Sequence, residues 1–252
     1  IIALNMIPKI IHYCWFGGNQ LPKNLKNYID GWKEKLSGYE IIEWNENNFD
    51  IASSVQYVKE AYEAKKYAFV SDYVRIWALY NYGGIYFDTD VEVLKSFDSY
   101  IKDQNLVLSR EYNKSLSTAF IACSKNNQFI KGFLDTYTGR KFIQDDGSFD
   151  TSTINEHLSR YSERYGLSFE NDEFQCFGKG MVVYPQEVFS GFDVKNWHPK
   201  ITEKTCTCHH MAASWVNSKR KLYFFIIFAL QKILGYKNYD KLKVLIDRIR
   251  KK

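Results

Sequence analysis

Apolar runs and apolar faces alternate along most of the chain, and their periods predict the elements. Residues 7–15 (Ile-Pro-Lys-Ile-Ile-His-Tyr-Cys-Trp) are rich in strand formers and stop at Gly17-Gly18, which predicts a strand. A helix follows over 21–36, opening near Pro22, and a second strand over 39–44. Helical spacing then runs from about Val55 through Ala61, Ala64, Ala68 and Val70 to Tyr80, where Asn81-Tyr82-Gly83-Gly84 ends it. Ile85-Tyr86-Phe87 is a short continuous apolar run, the pattern of a strand buried on both faces.

Further strands are predicted over 106–109, 119–123 and 181–184, and helices over 129–137 and 153–165, with a polar surface loop over 138–150. Strands and helices in alternation with short connections predict an α/β fold, an open Rossmann-like sheet with helices on both faces. The chain shows no internal repeat. Its one compositional break, near Ser218, divides it into a body, 1–217, and a basic tail, 218–252.

Composition adds two limits. A hydrophobic content of 45% with only four Pro in 252 residues excludes disordered and collagen-like classes. The five Cys (14, 123, 176, 206 and 208) are odd in number and scattered, which argues against a disulfide framework and for a reducing compartment, the cytoplasm by default. No charged start followed by an apolar stretch marks a secretory signal. The longest apolar run, 222–230, has nine residues against the roughly 20 a membrane span needs, so no crossing helix is expected.

The net charge of +5 hides a division. Between 219 and 252 stand eleven basic and two acidic residues, net +9, which leaves 23 basic and 27 acidic side chains before them, net −4. In the tail, Leu242, Leu245, Ile246 and Ile249 keep helical spacing while Lys and Arg take other positions. A basic amphipathic segment of this kind suits an anionic membrane surface, each cation adding about 1 kcal/mol near the lipid. The rival reading is a helical hairpin packed on the body or in an oligomer. Nucleic acid is not expected, since it leaves the apolar run unexplained.

The chemistry centres on Gly83-Gly84-Ile85-Tyr86-Phe87-Asp88-Thr89-Asp90. Side chains two apart on an extended backbone share a side, so Asp88 and Asp90 converge at the end of a buried strand. Two carboxylates there call for a hard divalent cation, Mn²⁺ or Mg²⁺, which completes its shell with substrate phosphates. Upstream, Asp72 and Arg75 lie three apart on one face of an otherwise apolar helix. They are either a structural pair or two groups turned into a cleft, Arg75 facing phosphate or developing negative charge.

These motifs together resemble glycosyltransferase family 32: Ile-Pro-Lys-Ile-Ile-His at 7–12 with Trp15-Phe16-Gly17-Gly18, Ser71-Asp72 with Arg75, and Gly83-Gly84-Ile85-Tyr86 with Asp88-x-Asp90. That family includes bacterial capsular and surface-polysaccharide transferases, and the glucosylating domain of large clostridial toxins is similar. The resemblance implies a GT-A fold and a retaining glycosyltransferase that moves a hexose from a nucleotide sugar, a UDP-hexose before GDP-mannose, to a lipid-linked or polysaccharide acceptor. It implies donor contacts from Trp15, stacked on the base, and from Ser71, Asp72, Arg75, Tyr86, Asp88 and Trp215. Asp72, Arg75 and Asp90 would be catalytic, with Asp88 and Asp90 at the metal.

Near the end of the body, Cys206-Thr207-Cys208-His209-His210-Met211-Ala212-Ala213-Ser214-Trp215 holds residues that could also bind zinc. In the resembling family a ligand from this region closes the metal site. Counting back from Trp215 makes it His210, with His209 the alternative. The acceptor is expected against 138–155 or 185–198. The rival enzyme class is a haloacid-dehalogenase-like phosphatase, with Asp88 and Asp90 as its nucleophile loop and Asp145-Asp146 as its later acidic pair. A non-catalytic sugar-nucleotide-binding module is the other rival. Peripheral attachment to the inner face of the plasma membrane would follow from the tail.

Overall fold

A computed structural model describes residues 6–111, 114–194 and 196–211, together with 229–230, 232–235 and 238–239. The elements run β1 (Ile10–Cys14), α1 (Lys23–Lys35), β2 (Glu40–Trp44), α2 (Gln56–Glu63), α3 (Tyr67–Tyr82), β3 (Gly84–Phe87), β4 (Val91–Val93), α4 (Asp98–Ile101), β5 (Leu106–Arg110) and β6 (Leu116–Cys123). They continue as α5 (Gln128–Asp135), α6 (Ile154–Glu163), β7 (Gln175–Gly178), β8 (Met181–Tyr184), α7 (Gln186–Phe189), β9 (Phe192–Asp193), β10 (His198–Pro199) and β11 (Thr207–His209).

Seven strands form one open sheet in the order β2-β1-β3-β6-β5-β8-β7. The pairs β2-β1, β1-β3 and β5-β8 are parallel, whereas β6 runs antiparallel to both of its neighbours and β7 antiparallel to β8. The sheet is therefore mixed, the α/β open-sheet arrangement expected of a GT-A domain. Alternate residues of the central strands feed two cores. Tyr86, Leu106, Leu108 and Ile121 meet α2, α3, α5 and α6 on one face. Ile85, Phe87, Val107 and Phe120 meet α1, α4 and α7 on the other. Many of the aromatic residues are spent on these two layers: Phe120 stacks on Phe189 with ring centroids 3.8 Å apart.

The long helix expected from Val55 to Tyr80 is two helices. Lys65 takes a left-handed conformation, φ 56°, so α2 ends before it and α3 starts on a new axis. Beyond α3, the reversal into β3 rests on Gly83 and Gly84, with φ 68° and 98°. A Cβ on Gly83 would lie 2.5 Å from the Lys125 backbone nitrogen, and one on Gly84 2.5 Å from the Ile10 carbonyl. Only glycine lets the chain turn straight from helix to strand and slide between β1 and β6. The helices predicted over 129–137 and 153–165 are capped by side chains: Asn127 accepts from the Ile130 amide and Thr153 from the Glu156 amide.

The strands β4, β7, β9, β10 and β11 have no counterpart in the periodicity, being two to four residues long. One of them matters most. β4 leaves the main sheet and pairs antiparallel with β11, with Val91 opposite His209 and Val93 opposite Thr207. This brings the segment around residue 209 back to the end of β3. Among the described residues no helix is long and apolar enough to cross a membrane. Most of the basic tail lies outside the described residues.

Candidate active site

The site lies where β3 ends. All four residues of β3 are buried, the ladder is extended by an Asp88 amide bond to the Ala119 carbonyl (3.2 Å), and the chain then turns, the Val91 amide donating to the Asp88 carbonyl (3.1 Å). Trp32 of α1 fixes the exit of that turn through an indole N–H bond to the Val91 carbonyl, 2.7 Å. Held this way, Asp88 and Asp90 keep side-chain exposures of 27% and 12%, so both are sunk in the protein yet reachable.

Across from them stands His209. Its Nε2 is 3.3 Å from an Asp90 oxygen and 4.0 Å from an Asp88 oxygen, and one ligand atom from each of the three residues falls within 4.8 Å of the others. Among the described residues this is the one group of three or more such side chains so arranged. His210 does not join it. Its Nε2 bonds to Glu92, 2.8 Å, and its ring stacks on Tyr28 at 4.9 Å. The expectation of His210 is corrected in that respect: the register of β11 on β4 aims His209 at the aspartates, and the next residue projects to the other side.

Arg75 closes the opposite wall. It is 5% exposed and every donor group of its fork is engaged. Nη2 donates to Asp72 (3.0 Å), Nη1 to the Thr118 carbonyl (3.0 Å) and hydroxyl (3.2 Å), and Nε to the Ser71 carbonyl (3.3 Å). Nη1 also lies 3.1 Å from Asp88. The guanidinium packs over the Tyr86 ring, 4.6 Å from its centroid, and the Tyr86 hydroxyl donates to Asp88, 3.2 Å. Asp72, Arg75, Tyr86, Asp88 and Asp90 thus converge. Ser71 meets Arg75 through its backbone, its own hydroxyl bonding back to the Tyr67 carbonyl.

The electrostatics follow from burial among charges. Burial pushes the Asp72 carboxyl up to about 6, with Arg75 opposing and Asp88 adding to the rise. Burial likewise raises Asp88, against the pull of Arg75 and His209. Burial disfavours a charged His209, but Asp90 and Glu111 outweigh it and hold the imidazole well above its ordinary range. The cluster therefore draws positive charge to the space between the two aspartates. Two carboxylates and one imidazole nitrogen form a donor set that suits Mn²⁺ and, with its oxygens, Mg²⁺.

Trp15 sits at the end of β1, partly buried against the α1-side core, its indole N–H bonded to the Asn19 carbonyl at 2.7 Å. Trp215 lies outside the described residues. The zinc reading has no support in the geometry: the Cys206 and Cys208 thiols face the Lys204 and Gly191 carbonyls at 3.5 and 3.1 Å. Nor does the second acidic pair of the phosphatase reading arrive, since Asp145 is 92% exposed and paired with Lys141.

Three residues around the site were not singled out individually by the sequence. Glu111 follows β5 and receives His209 Nδ1 at 3.0 Å. Asn155 opens α6 and donates to the second Glu111 oxygen at 2.7 Å. Thr118 of β6 joins Asn155 to Arg75.

Residues 22–107, from the start of α1 into β5, match the family described as "glycosyltransferase sugar-binding region containing DXD motif". Over this third of its length the chain is similar to that family. The match includes Ser71, Asp72, Arg75, Tyr86, Asp88 and Asp90 and supports a glycosyltransferase. Among curated proteins the chain is similar to the "Subversion of eukaryotic traffic protein A" of Legionella pneumophila. They are 28% identical over 173 residues, covering 57% of this chain and 27% of that protein. It is also similar to a "Toxin" of Photorhabdus asymbiotica, 29% identical over 168 residues, covering 51% of this chain and 6% of that one. The chain thus spans well under a third of the length of either relative. Among solved structures it is similar to "PaToxG Glycosyltransferase" (22% identity, 63% of this chain and 69% of that one, TM-score 0.47). It is likewise similar to a glycosyltransferase involved in glycosylating the major capsid of PBCV-1 (10% identity, 86% and 99%, TM-score 0.46).

Proposed function

We propose that the chain is a metal-dependent, retaining hexosyltransferase that uses a UDP-hexose and glycosylates a lipid-linked or polysaccharide acceptor of the cell surface. The observation that carries this reading is the convergence of Asp88, Asp90 and His209 within 4.8 Å beside a buried Arg75 joined to both Asp72 and Asp88. In this reading Asp88, Asp90 and His209 would hold Mn²⁺ or Mg²⁺, which when bound would supply positive charge for a departing diphosphate. Arg75 adds a fixed positive charge on the same side, oriented in advance by the Thr118 carbonyl and hydroxyl. Asp72 holds hydroxyls of the donor sugar, Tyr86 closes the floor, and Trp15 stacks on the base. No further carboxylate is assigned as a nucleophile, which favours attack on the face the diphosphate leaves.

The acceptor is assigned to the side formed by 138–155 and 185–198. The first of these segments ends at Asn155 beside the site, and the second places Phe192 6.2 Å from the His210 ring. The body is taken as residues 1–217, and the net +9 of residues 219–252 is assigned to an anionic lipid surface. With five unpaired cysteines, the reading puts the enzyme on the cytoplasmic face of the membrane.

The test is thermal stabilisation by a panel of nucleotide sugars with and without Mn²⁺. A UDP-hexose with Mn²⁺ is expected to raise the melting temperature, and Asp90→Asn to abolish that response while melting normally by itself. Phosphate release from a generic phosphomonoester, with no response to any nucleotide sugar, refutes the transferase reading. For the tail, removal of residues 219–252 is expected to release the protein from anionic vesicles with donor hydrolysis intact. Continued sedimentation of the shortened chain with vesicles refutes the membrane role.

A further inference from the structure

We infer that Glu111 is a positioning residue for the metal site, acting through His209. The inference rests on the metal reading above and adds to it a residue outside the matched segment 22–107. An ionised carboxylate can only accept hydrogen bonds. With Glu111 Oε1 3.0 Å from Nδ1 of His209, the hydrogen of a neutral imidazole belongs on Nδ1, and the lone pair belongs on Nε2. Nε2 is the nitrogen turned toward the aspartates, 3.3 Å from Asp90, so it is the one that would present a lone pair to a cation once the ring has given up its second proton. A carboxylate behind a ligating imidazole fixes its tautomer and ring orientation and strengthens it as a donor.

Glu111 is itself fixed. Its side chain is 11% exposed, and it takes hydrogen bonds from three segments: His209 and the Ser117 hydroxyl (3.2 Å) on Oε1, and Asn155 Nδ2 (2.7 Å) on Oε2. Asn155 in turn accepts from the Thr118 amide (3.2 Å) and hydroxyl (2.6 Å). Thr118 accepts from Arg75, and Arg75 returns to Asp88. The chain of contacts His209–Glu111–Asn155–Thr118–Arg75–Asp88 runs around the site and meets His209 again. Glu111, held by Ser117 and Asn155, thus orients His209 from the side of the ring away from the aspartates.

The test is the affinity of the 252-residue chain for Mn²⁺ alone, read from the electron paramagnetic resonance signal of the free ion. His209→Ala and Glu111→Ala are each expected to weaken binding by about 10- to 100-fold. The double variant is expected to be no weaker than His209→Ala, because Glu111 acts through that ring. Glu111→Gln keeps an acceptor for Nδ1 but turns an amide donor toward Asn155, and is expected to fall between wild type and Glu111→Ala. It also serves should the alanine variant fail to fold. Glu111→Ala binding within twofold of wild type, or single losses that multiply in the double variant, overturns the inference while a weakened His209→Ala leaves the metal reading standing. Unchanged binding in His209→Ala overturns both.

Discussion

Asp72 offers a direct measure of how far the site departs from what stability alone would select. Its carboxyl is 13% exposed and titrates at about 6 against an ordinary 3.8, burial outweighing the attraction of Arg75. Between those two values the folded chain holds more of this proton than the unfolded chain does, so stability falls as pH rises through that window. The gap of roughly two pH units, at about 1.36 kcal/mol each, makes an ionised Asp72 cost about 3 kcal/mol above pH 6. Asp72→Asn removes the charge, keeps the shape, and leaves an oxygen to accept from Arg75 Nη2, now 3.0 Å from Asp72. Urea denaturation of both proteins from pH 4 to 8 is the assay, and their difference cancels every other titrating group to first order. The two stabilities should nearly coincide at pH 4, separate between pH 4 and 6, and differ by about 3 kcal/mol at pH 7, Asn the more stable. Donor hydrolysis by the variant should fall sharply in the same range. Parallel pH curves, or an Asn variant less stable at pH 7, would show that Arg75 at least offsets the burial of Asp72 and would refute the reasoning.

Two further outcomes follow from the same packing. His12 is fully buried, accepts from the Trp44 indole at Nδ1 (3.1 Å) and donates from Nε2 to the Gly83 carbonyl (2.8 Å), and burial lowers it to about 4. The unfolded chain therefore binds the extra proton between pH 6.5 and 4, and stability should drop by about 3 kcal/mol across that window as pH falls. A His12→Gln variant should show a flatter acid limb in denaturation series, and an unchanged limb would contradict this. Gly84→Ala should lower the melting temperature by at least about 4 °C, since its Cβ would meet the Ile10 carbonyl at 2.5 Å with φ at 98°. A melting temperature within a degree of wild type would mean that β1 and β3 can part to admit a methyl group.

The legible parts of the fold were those with a local cause. Ile85-Tyr86-Phe87 is buried as its apolar run requires, the glycine pair stops α3 where the pattern ends, and Asp72 and Arg75 meet at the three-residue spacing of one helical face. The division of the long helix at Lys65 was not legible, because no Gly or Pro marks it and a lysine takes the left-handed turn. The direction of β6 was equally hidden, since an apolar run reads the same in a parallel or an antiparallel neighbour.

The sequence by itself determined the α/β class, the strand end that carries Asp88 and Asp90, and the helix that supplies Asp72 and Arg75. In each case the deciding interactions lie within a few residues along the chain. Only the tertiary structure brought His209 and not His210, two adjacent imidazoles of equal chemistry, up to the aspartates, through the register of a three-residue strand on β4. It also brought Glu111 and Asn155, 44 residues apart, to the back of that histidine. Neither residue stands in a local pattern, because what gives each its place is a hydrogen bond to a distant segment, and such bonds exist only once the sheet is assembled.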